Sequence, residues 1–261
     1  MRYYLKIYKA FVMQNFRILV LSKQNVTLGI ITFLSMQIFN LLTIDIIFRN
    51  VVDIGGYDKQ EILFIYGIFL LPRGLDHMIS DYLWWFAGGG VKRGIYDKYM
   101  TKPLPTLFQV IIEKFDFNAL AELILAVLLM GKYGAKYFTD YKNLLLFLLL
   151  VINGVMIYLA IKIICAAIAF YTKSSFYLLN SVYQTSNFSK YPVSIYPKSI
   201  VYIMYFLLPF GLTTYLPFLA ITGKYTLDLL GFLSFFSGTL VLLMAIFFWT
   251  MAEKNYESTG S

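Results

Sequence analysis

The chain has 261 residues, 59% of them hydrophobic and 14% charged, whereas a soluble globular domain carries roughly a quarter charged residues. That balance excludes a soluble domain and indicates an integral membrane protein. The formal net charge of +8 sits in the gaps between apolar runs, which suits anionic lipid and the positive-inside rule rather than nucleic acid. The single cysteine, Cys165, lies inside an apolar run and excludes an intrachain disulfide framework or a thiolate metal cluster.

Residues 1–24 contain Arg2, Lys6, Lys9, Arg17 and Lys23 and no acid. Wound as a helix, the first four share one face, with Tyr4, Tyr8, Phe11, Ile18 and Leu19 opposite, the pattern of a helix lying in the membrane interface. No continuous apolar core with a small-residue cleavage site is present, so the segment is expected to stay on the cytoplasmic side rather than be removed as a signal peptide.

A crossing helix needs about 20 mostly apolar residues, and six candidates follow, near 25–48, 61–87, 116–138, 144–170, 200–222 and 227–251. The first carries Thr27, Thr32, Ser35, Gln37, Asn40, Thr43 and Asp45, so its polar side should face protein or a water-filled path. In the second, Pro72 bends the helix within "LLPRGLDH", and Arg73 and Asp76 lie on one face. They either neutralise one another as an internal ion pair or line a substrate path. Glu122, in the third, costs about 2.5 to 3.5 kcal/mol in an apolar span unless it is paired, protonated or near the interface. Lys162, in the fourth, snorkels or pairs within the bundle. Pro209 and Pro217 make the fifth either a kinked span or a re-entrant piece.

Lys and Arg in the connecting segments set the orientation. With the amino terminus inside, fourteen fall on the inner side and six (Arg49, Lys59, Lys132, Lys136, Lys142 and Lys224) on the outer, which places both ends of the chain in the cytoplasm. The count treats residues 171–199, with Lys173, Lys190 and Lys198, as an inner loop. The basic "GKYGAKYFTDYKN" is the exception on the outer side. No segment outside the spans is long enough for a core of its own, so residues 1–261 are expected to form one transmembrane domain.

Little in the chain suggests catalysis. "GGGVKRG" does not match the phosphate loop G-x-x-x-x-G-K-[ST], His77 is the only histidine and has no paired-ligand motif around it, and no nucleophile sits with a base. Neither nucleotide nor metal is expected on this chain. The informative stretch is "VKRGIYDKYMTKPLPTLFQ", residues 91–109, within the segment 88–116 that joins the second and third spans. It reads as a short amphipathic helix between a flexible "GGG" and a terminating "PLP". Ile95, Tyr96, Tyr99 and Met100 make one face, Lys98 and Lys102 the other. Such a helix either rests among headgroups or presents an aromatic knob to a groove in a soluble partner.

The pattern R-G-x-x-D-x-x-x-x-x-P-L, standing as Arg93, Gly94, Asp97, Pro103 and Leu104 and followed by "PTLFQ", resembles the cytoplasmic segment of ABC-2 family transporter permeases. "SKYPVSIYPKSI" with "LLPFGLTTYLPFLAITG" is similar to that family's Tyr-Pro loop and double-proline fifth span, and "YESTGS" to its Tyr-x-Ser-x-Gly ending. The resemblance implies an all-α, six-span permease with an amino-terminal interfacial helix, forming the membrane half of an ATP-binding-cassette exporter in the cell membrane. It implies a separate cytoplasmic ATPase, carrying ATP and Mg, docked through Arg93, Gly94, Tyr96, Asp97, Tyr99, Met100, Pro103 and Leu104. A second permease, identical or paralogous, and membrane lipid are the other expected partners. The alternative left by the residues alone is a secondary transporter driven by an ion gradient, with Asp45, Asp76 and Glu122 as coupling acids.

Overall fold

The computed structural model describes residues 2–21, 23–224 and 229–258, and among them the only extended pairing is an isolated bridge between Ile54 and Tyr57. Most of the remainder is helical. In chain order the helices are α1 (Arg2–Leu21), α2 (Lys23–Asn50), α3 (Lys59–Ser80), α4 (Tyr82–Trp85), α5 (Asp97–Met100) and α6 (Thr106–Ile112). They continue with α7 (Leu120–Tyr133), α8 (Tyr141–Ala167), α9 (Ala169–Thr172), α10 (Phe176–Thr185), α11 (Lys198–Tyr202), α12 (Gly211–Thr222) and α13 (Leu229–Ala252). Among the described residues, four helical stretches are long and apolar enough to cross a membrane: Thr27–Asn50, Lys59–Ser80, Tyr141–Thr172 and Phe235–Asn255. A fifth exists if the bent pair Lys198–Leu207 and Gly211–Thr222 is taken together. The stretch expected as the third span holds the 14-residue α7, about 21 Å of helix, with a 3-10 turn on each side at Phe117–Ala119 and Ala135–Tyr137.

Helix α3 is the axis of the bundle. It starts at a capping box: Asp58 Oδ1 accepts the Glu61 N–H at 2.8 Å, and the Glu61 carboxylate accepts the Asp58 N–H at 3.4 Å. These bonds satisfy amide groups that a helix start otherwise leaves open. Residues 62–70 are then buried without interruption, so α3 is apolar all round because protein surrounds it. Helices α7, α8 and α12 pack on it, and α13 packs along α8. The α8–α13 contact depends on a small residue, since a Cβ on Gly238 would stand 2.4 Å from the Asn153 carbonyl oxygen. Close backbone approach of this kind is how helices associate in lipid.

The bundle has a near end, carrying residues 86–116, and a far end, carrying residues 50–59. Gly29 of α2 lies against Asn118 at the near end, and Asp45 pairs with Lys59 at the far end. Helices α3, α8 and α13 run from far to near, where Phe86, Phe170 and Trp249 meet. Helix α7 runs the opposite way, from Glu122 beside Gly74 to Gly134 beneath the Phe64 ring.

One segment departs from the expected arrangement, and a second takes a form that the sequence left open. Residues 171–199, read as an inner loop, run the length of the bundle instead. The Ser175 N–H donates to the Ala87 carbonyl at 2.9 Å at the near end, Tyr183 reaches Asp76, Asn187 reaches Arg73 and Lys190 reaches Asn40. Ile195 packs on Gly55 at the far end. This path consists of α10, a 3-10 turn at Ser186–Lys190 and a second one at Val193–Ile195. Its Ser, Asn and Gln residues lowered its hydropathy below that of a span. The double-proline stretch, whose form the sequence left open, bends by 99° between Leu207 and Gly211. At the bend Phe210 meets the Tyr158 ring at 5.1 Å; α12 then returns to the far end, where the Tyr215 and Tyr57 hydroxyls are 2.8 Å apart and Lys224 pairs with Glu61. The chain therefore dips into the bundle and leaves by the end it entered.

The polar side of α2 is also differently used. Thr32, Ser35, Asn40 and Thr43 donate to carbonyls of their own helix four residues back, and of the polar residues expected to seek cover only Gln37 is buried. Back-bonding of this sort satisfies a hydroxyl without a neighbouring helix. In α1, Lys6, Lys9 and Arg17 are exposed while Tyr8 and Phe11 are half-buried; the side chains of Arg2, Tyr4, Ile18, Leu19 and Lys23 lie outside the described residues.

Candidate functional site

The segment between α3 and α7 is a folded platform. The chain leaves α4 through a π-turn at Phe86–Gly90 and reverses at Gly94, whose φ of +66° lies in the left-handed region that a side chain disfavours. That conformation is the physical reason for the glycine in the Arg93-Gly94 pair. Helix α5 follows, then Pro103 to Pro105, then α6. The Gln109 amide ties this connection together, donating to the carbonyls of Tyr99 at 2.9 Å and Leu104 at 2.8 Å.

The expected aromatic knob is turned inward. Tyr96 is 1% exposed and Tyr99 is fully buried, whereas Met100 is 59% exposed. The Tyr96 ring packs against Phe86, Phe170, Trp249 and Tyr256, and the Tyr99 hydroxyl bonds to that of Tyr82 at 3.1 Å. An amphipathic pattern marks an apolar face but cannot say whether the chain's own core or a partner fills it; here it is the core. The outer face consists of Lys92, Arg93, Lys98, Met100, Lys102 and Pro103, with Leu104 half-buried. The Arg93 guanidinium lies 5.6 Å over the Trp85 ring and Lys98 pairs with Glu113 at 2.6 Å.

The end of the chain fastens this platform from beneath. Glu253, just past α13, accepts hydrogen bonds on Oε2 from the Tyr96 hydroxyl at 2.7 Å, the Thr106 hydroxyl at 2.6 Å and the Trp249 indole at 3.2 Å. Asp97 accepts from the Tyr256 hydroxyl and the Ser258 hydroxyl, both at 2.8 Å. Burial, together with the Asp97 carboxylate, pushes the Tyr256 hydroxyl up to about 12, and burial also raises Tyr96 far above its ordinary value. Both therefore keep their protons and act as donors. Bonds to a carboxylate are the stronger kind, and five of them converge on two acids. Glu253 was not singled out by sequence reasoning, which had quoted Asp97 and the Tyr-x-Ser ending as separate motifs; no local pattern signals that they meet. Gly260 of that ending lies outside the described residues.

A second cluster occupies the bundle interior. The ion pair weighed for Arg73 and Asp76 is not the one formed: Asp76 pairs with Lys162 of α8 at 2.9 Å, both side chains fully buried. The Tyr183 and Ser80 hydroxyls each donate to Asp76 at 2.6 Å, so its two oxygens are occupied. Arg73, one turn earlier, leans toward α10, donating to Asn187 Oδ1 at 3.2 Å and lying over the Phe69 and Tyr183 rings. Two residues on one helix face can still serve different neighbours when α8 and α10 flank that face. Glu122 is 2% exposed and accepts from Gln37 Nε2 at 3.1 Å, Gln37 in turn accepts from the Tyr66 hydroxyl, and Glu122 Oε2 has no partner. Asp45 stands apart at the far end in a surface cluster with Arg49 and Lys59. The structure thus gives each of the four expected charged residues a different partner.

The family model described as ABC-2 family transporter protein matches residues 34–260, from the middle of α2 to the Tyr-x-Ser-x-Gly ending. The chain belongs to the ABC-2 transporter family. Among curated proteins no relative matches it. Membership makes the chain a multi-pass transmembrane permease of an ABC transporter, a transport subunit that works with an ATP-binding-cassette partner. The platform of residues 86–112, the latch at Glu253 and Asp97, and the buried Asp76–Lys162 pair all fall inside the match.

Proposed function

We propose that this ABC-2 permease is the membrane-spanning half of an exporter in the cell membrane, driven by a cytoplasmic ATPase that docks on the outer face of residues 91–109. The observation that carries this reading is the latch. A basic, exposed platform whose underside is hydrogen-bonded to the end of α13 and packed on Phe170 can pass a push from a partner directly into two long helices. In this reading Arg93, Lys102, Met100 and Pro103 meet the ATPase, while Gly94, Tyr96, Asp97, Tyr99 and Leu104 hold the surface in shape. ATP and Mg belong to the partner chain.

The order of contacts supports six crossings: α2, α3, α7 with its flanking 3-10 turns, α8, residues 175–195, and α13. Residues 198–222 then form a re-entrant dip rather than a crossing, and both ends of the chain lie with the basic near end, in the cytoplasm. With Lys198 at the far end and Lys190 inside the bundle, the near end still holds more Lys and Arg. Helix α1 lies in the membrane interface there, its Lys6, Lys9 and Arg17 toward headgroups. Helix α2 leaves Leu28, Leu34, Ile38, Phe39 and Leu42 exposed, a surface for lipid and for a second permease, identical or paralogous. The whole of residues 1–261 acts as one transmembrane domain. Purification of the tagged chain from its native membrane tests the reading: an ATP-binding-cassette subunit should accompany it in stoichiometric amount by mass spectrometry, and its absence under mild detergent would contradict the proposal.

A further inference from the structure

Between α2 and the residue 184–196 path lies a cavity of about 330 Å³ lined by Asn40, Gln184, Asn187, Lys190, Tyr191 and Tyr196 among others. It opens sideways from the bundle, at mid-depth along it, with Gln184 and Phe188 exposed at its edge. Asn40 is ten residues from the far end of α2, a depth of about 15 Å at the helical rise, in a hydrocarbon layer about 30 Å thick.

Two cations lie at this place, Lys190 in the lining and Arg73 behind it, and among the described residues neither has a carboxylate within ion-pair distance. Lys190 donates to Asn40 Oδ1 at 2.8 Å. Arg73, behind Asn187, donates to that residue's Oδ1 at 3.2 Å, and its Nε is buried without a hydrogen-bond partner. The Asn187 amide nitrogen is spent on Gln184 at 2.6 Å. The acid whose charge acts on both cations is Glu122, whose Oε1 is bonded to Gln37. Asp76 is neutralised by Lys162, and Asp81 is engaged by His77 at 3.1 Å toward the near end. Even against an ionised Glu122, Lys190 and Arg73 leave positive charge in excess at membrane depth, where an uncompensated charge is costly and marks a ligand path. The walls suit an apolar body as well as a charge. Tyr196 and Phe188 meet edge to face at 5.3 Å, and Met36, one turn from Asn40 on α2, is 64% exposed.

We propose that this cavity binds the anionic headgroup, phosphate or carboxylate, of an amphiphile whose apolar tail lies along α2, and that amphiphiles of this class are the cargo. The cargo assignment rests on the permease reading; the binding site does not. The test is a thermal-unfolding titration of the purified chain in dodecyl maltoside with three probes: dodecyl phosphate, inorganic phosphate and dodecyltrimethylammonium. Dodecyl phosphate should raise Tm saturably, and the other two should not. Lys190→Gln should weaken the response about tenfold or more, as loss of a charged hydrogen-bond donor does, while Lys190→Arg retains it. Gln184→Glu, at an exposed position, should weaken it equally by supplying the anion from within. The site is overturned if the cationic probe matches dodecyl phosphate, or if Lys190→Gln and Gln184→Glu both titrate like the parent. A full response to inorganic phosphate alone overturns the amphiphile and leaves a free anion as the ligand. Binding without a recoverable ATPase would remove the docking and export reading and keep the site; an ATPase partner with no anion preference would do the reverse.

Discussion

The Tyr256 hydroxyl donates to Asp97 across 159 residues of sequence at 2.8 Å, joining the end of the chain to the platform between α3 and α7. With Glu253 beneath Tyr96 and Thr106, this makes the platform and α13 one body. Tyr256→Phe should remove a bond of about 1.5 to 3 kcal/mol, and Glu253→Gln should weaken the three bonds to its carboxylate by leaving only a neutral acceptor. The expected outcome is a permease that inserts normally but whose partner hydrolyses ATP with little transport. A double-mutant cycle of Tyr256→Phe with Asp97→Ala, read by thermal unfolding, should show the two residues coupled, and strictly additive effects would count against the contact.

The buried pair gives a distinct pattern. Removing Asp76 or Lys162 alone leaves a stranded charge, at a cost of about 3 to 5 kcal/mol. The double variant Asp76→Ala, Lys162→Met should be milder than either single one, while Arg73→Ala and Asp76→Ala should combine without such rescue. Thermal unfolding in detergent reads both cycles. Rescue of Asp76→Ala by Arg73→Ala would restore the pair that the sequence suggested.

Topology separates the two accounts of residues 171–199. A cysteine at Lys198, in the Cys165→Ala background, should label from the same side as one at Asn50 and from the opposite side to one at Lys102. Labelling of Lys198→Cys together with Lys102→Cys would return the segment to an inner loop.

Packing of α8 on α13 should tolerate no Cβ at position 238. Because the obstructing atom is the Asn153 backbone carbonyl, Gly238→Ala should destabilise by about 1 to 3 kcal/mol, the usual cost of overpacking. A variant with unchanged Tm would mean that the helices separate freely there.

How much of this was legible beforehand depends on what each residue answers to. Helices α2, α3, α8 and α13 follow from apolar length, since lipid leaves a chain no other way to satisfy its backbone. The 175–195 path was hidden because hydropathy assumes contact with lipid, and Ser186, Ser189 and Tyr183 are instead buried against protein. Glu122 and Lys162 were recognised as requiring partners, yet Gln37 and Asp76 could not be chosen for them without the fold. Tyr96 and Tyr99 were placed on one face correctly, but the face points inward because Phe86, Phe170 and Trp249, far apart in sequence, gather beneath it.

The central claim is that the outer face of residues 91–109 grips the ATPase, and quantitative co-purification tests it most directly. Arg93→Glu, Met100→Ala and Lys102→Glu combined alter exposed side chains, so the permease should insert and keep its Tm. The account predicts that this triple variant loses the ATPase subunit from the tagged complex, whereas the same changes at Lys132 and Lys136 on the far end do not, since reversed charge and a lost apolar contact weaken a docked surface. Undiminished ATPase recovery with the triple variant would contradict the assignment of this surface.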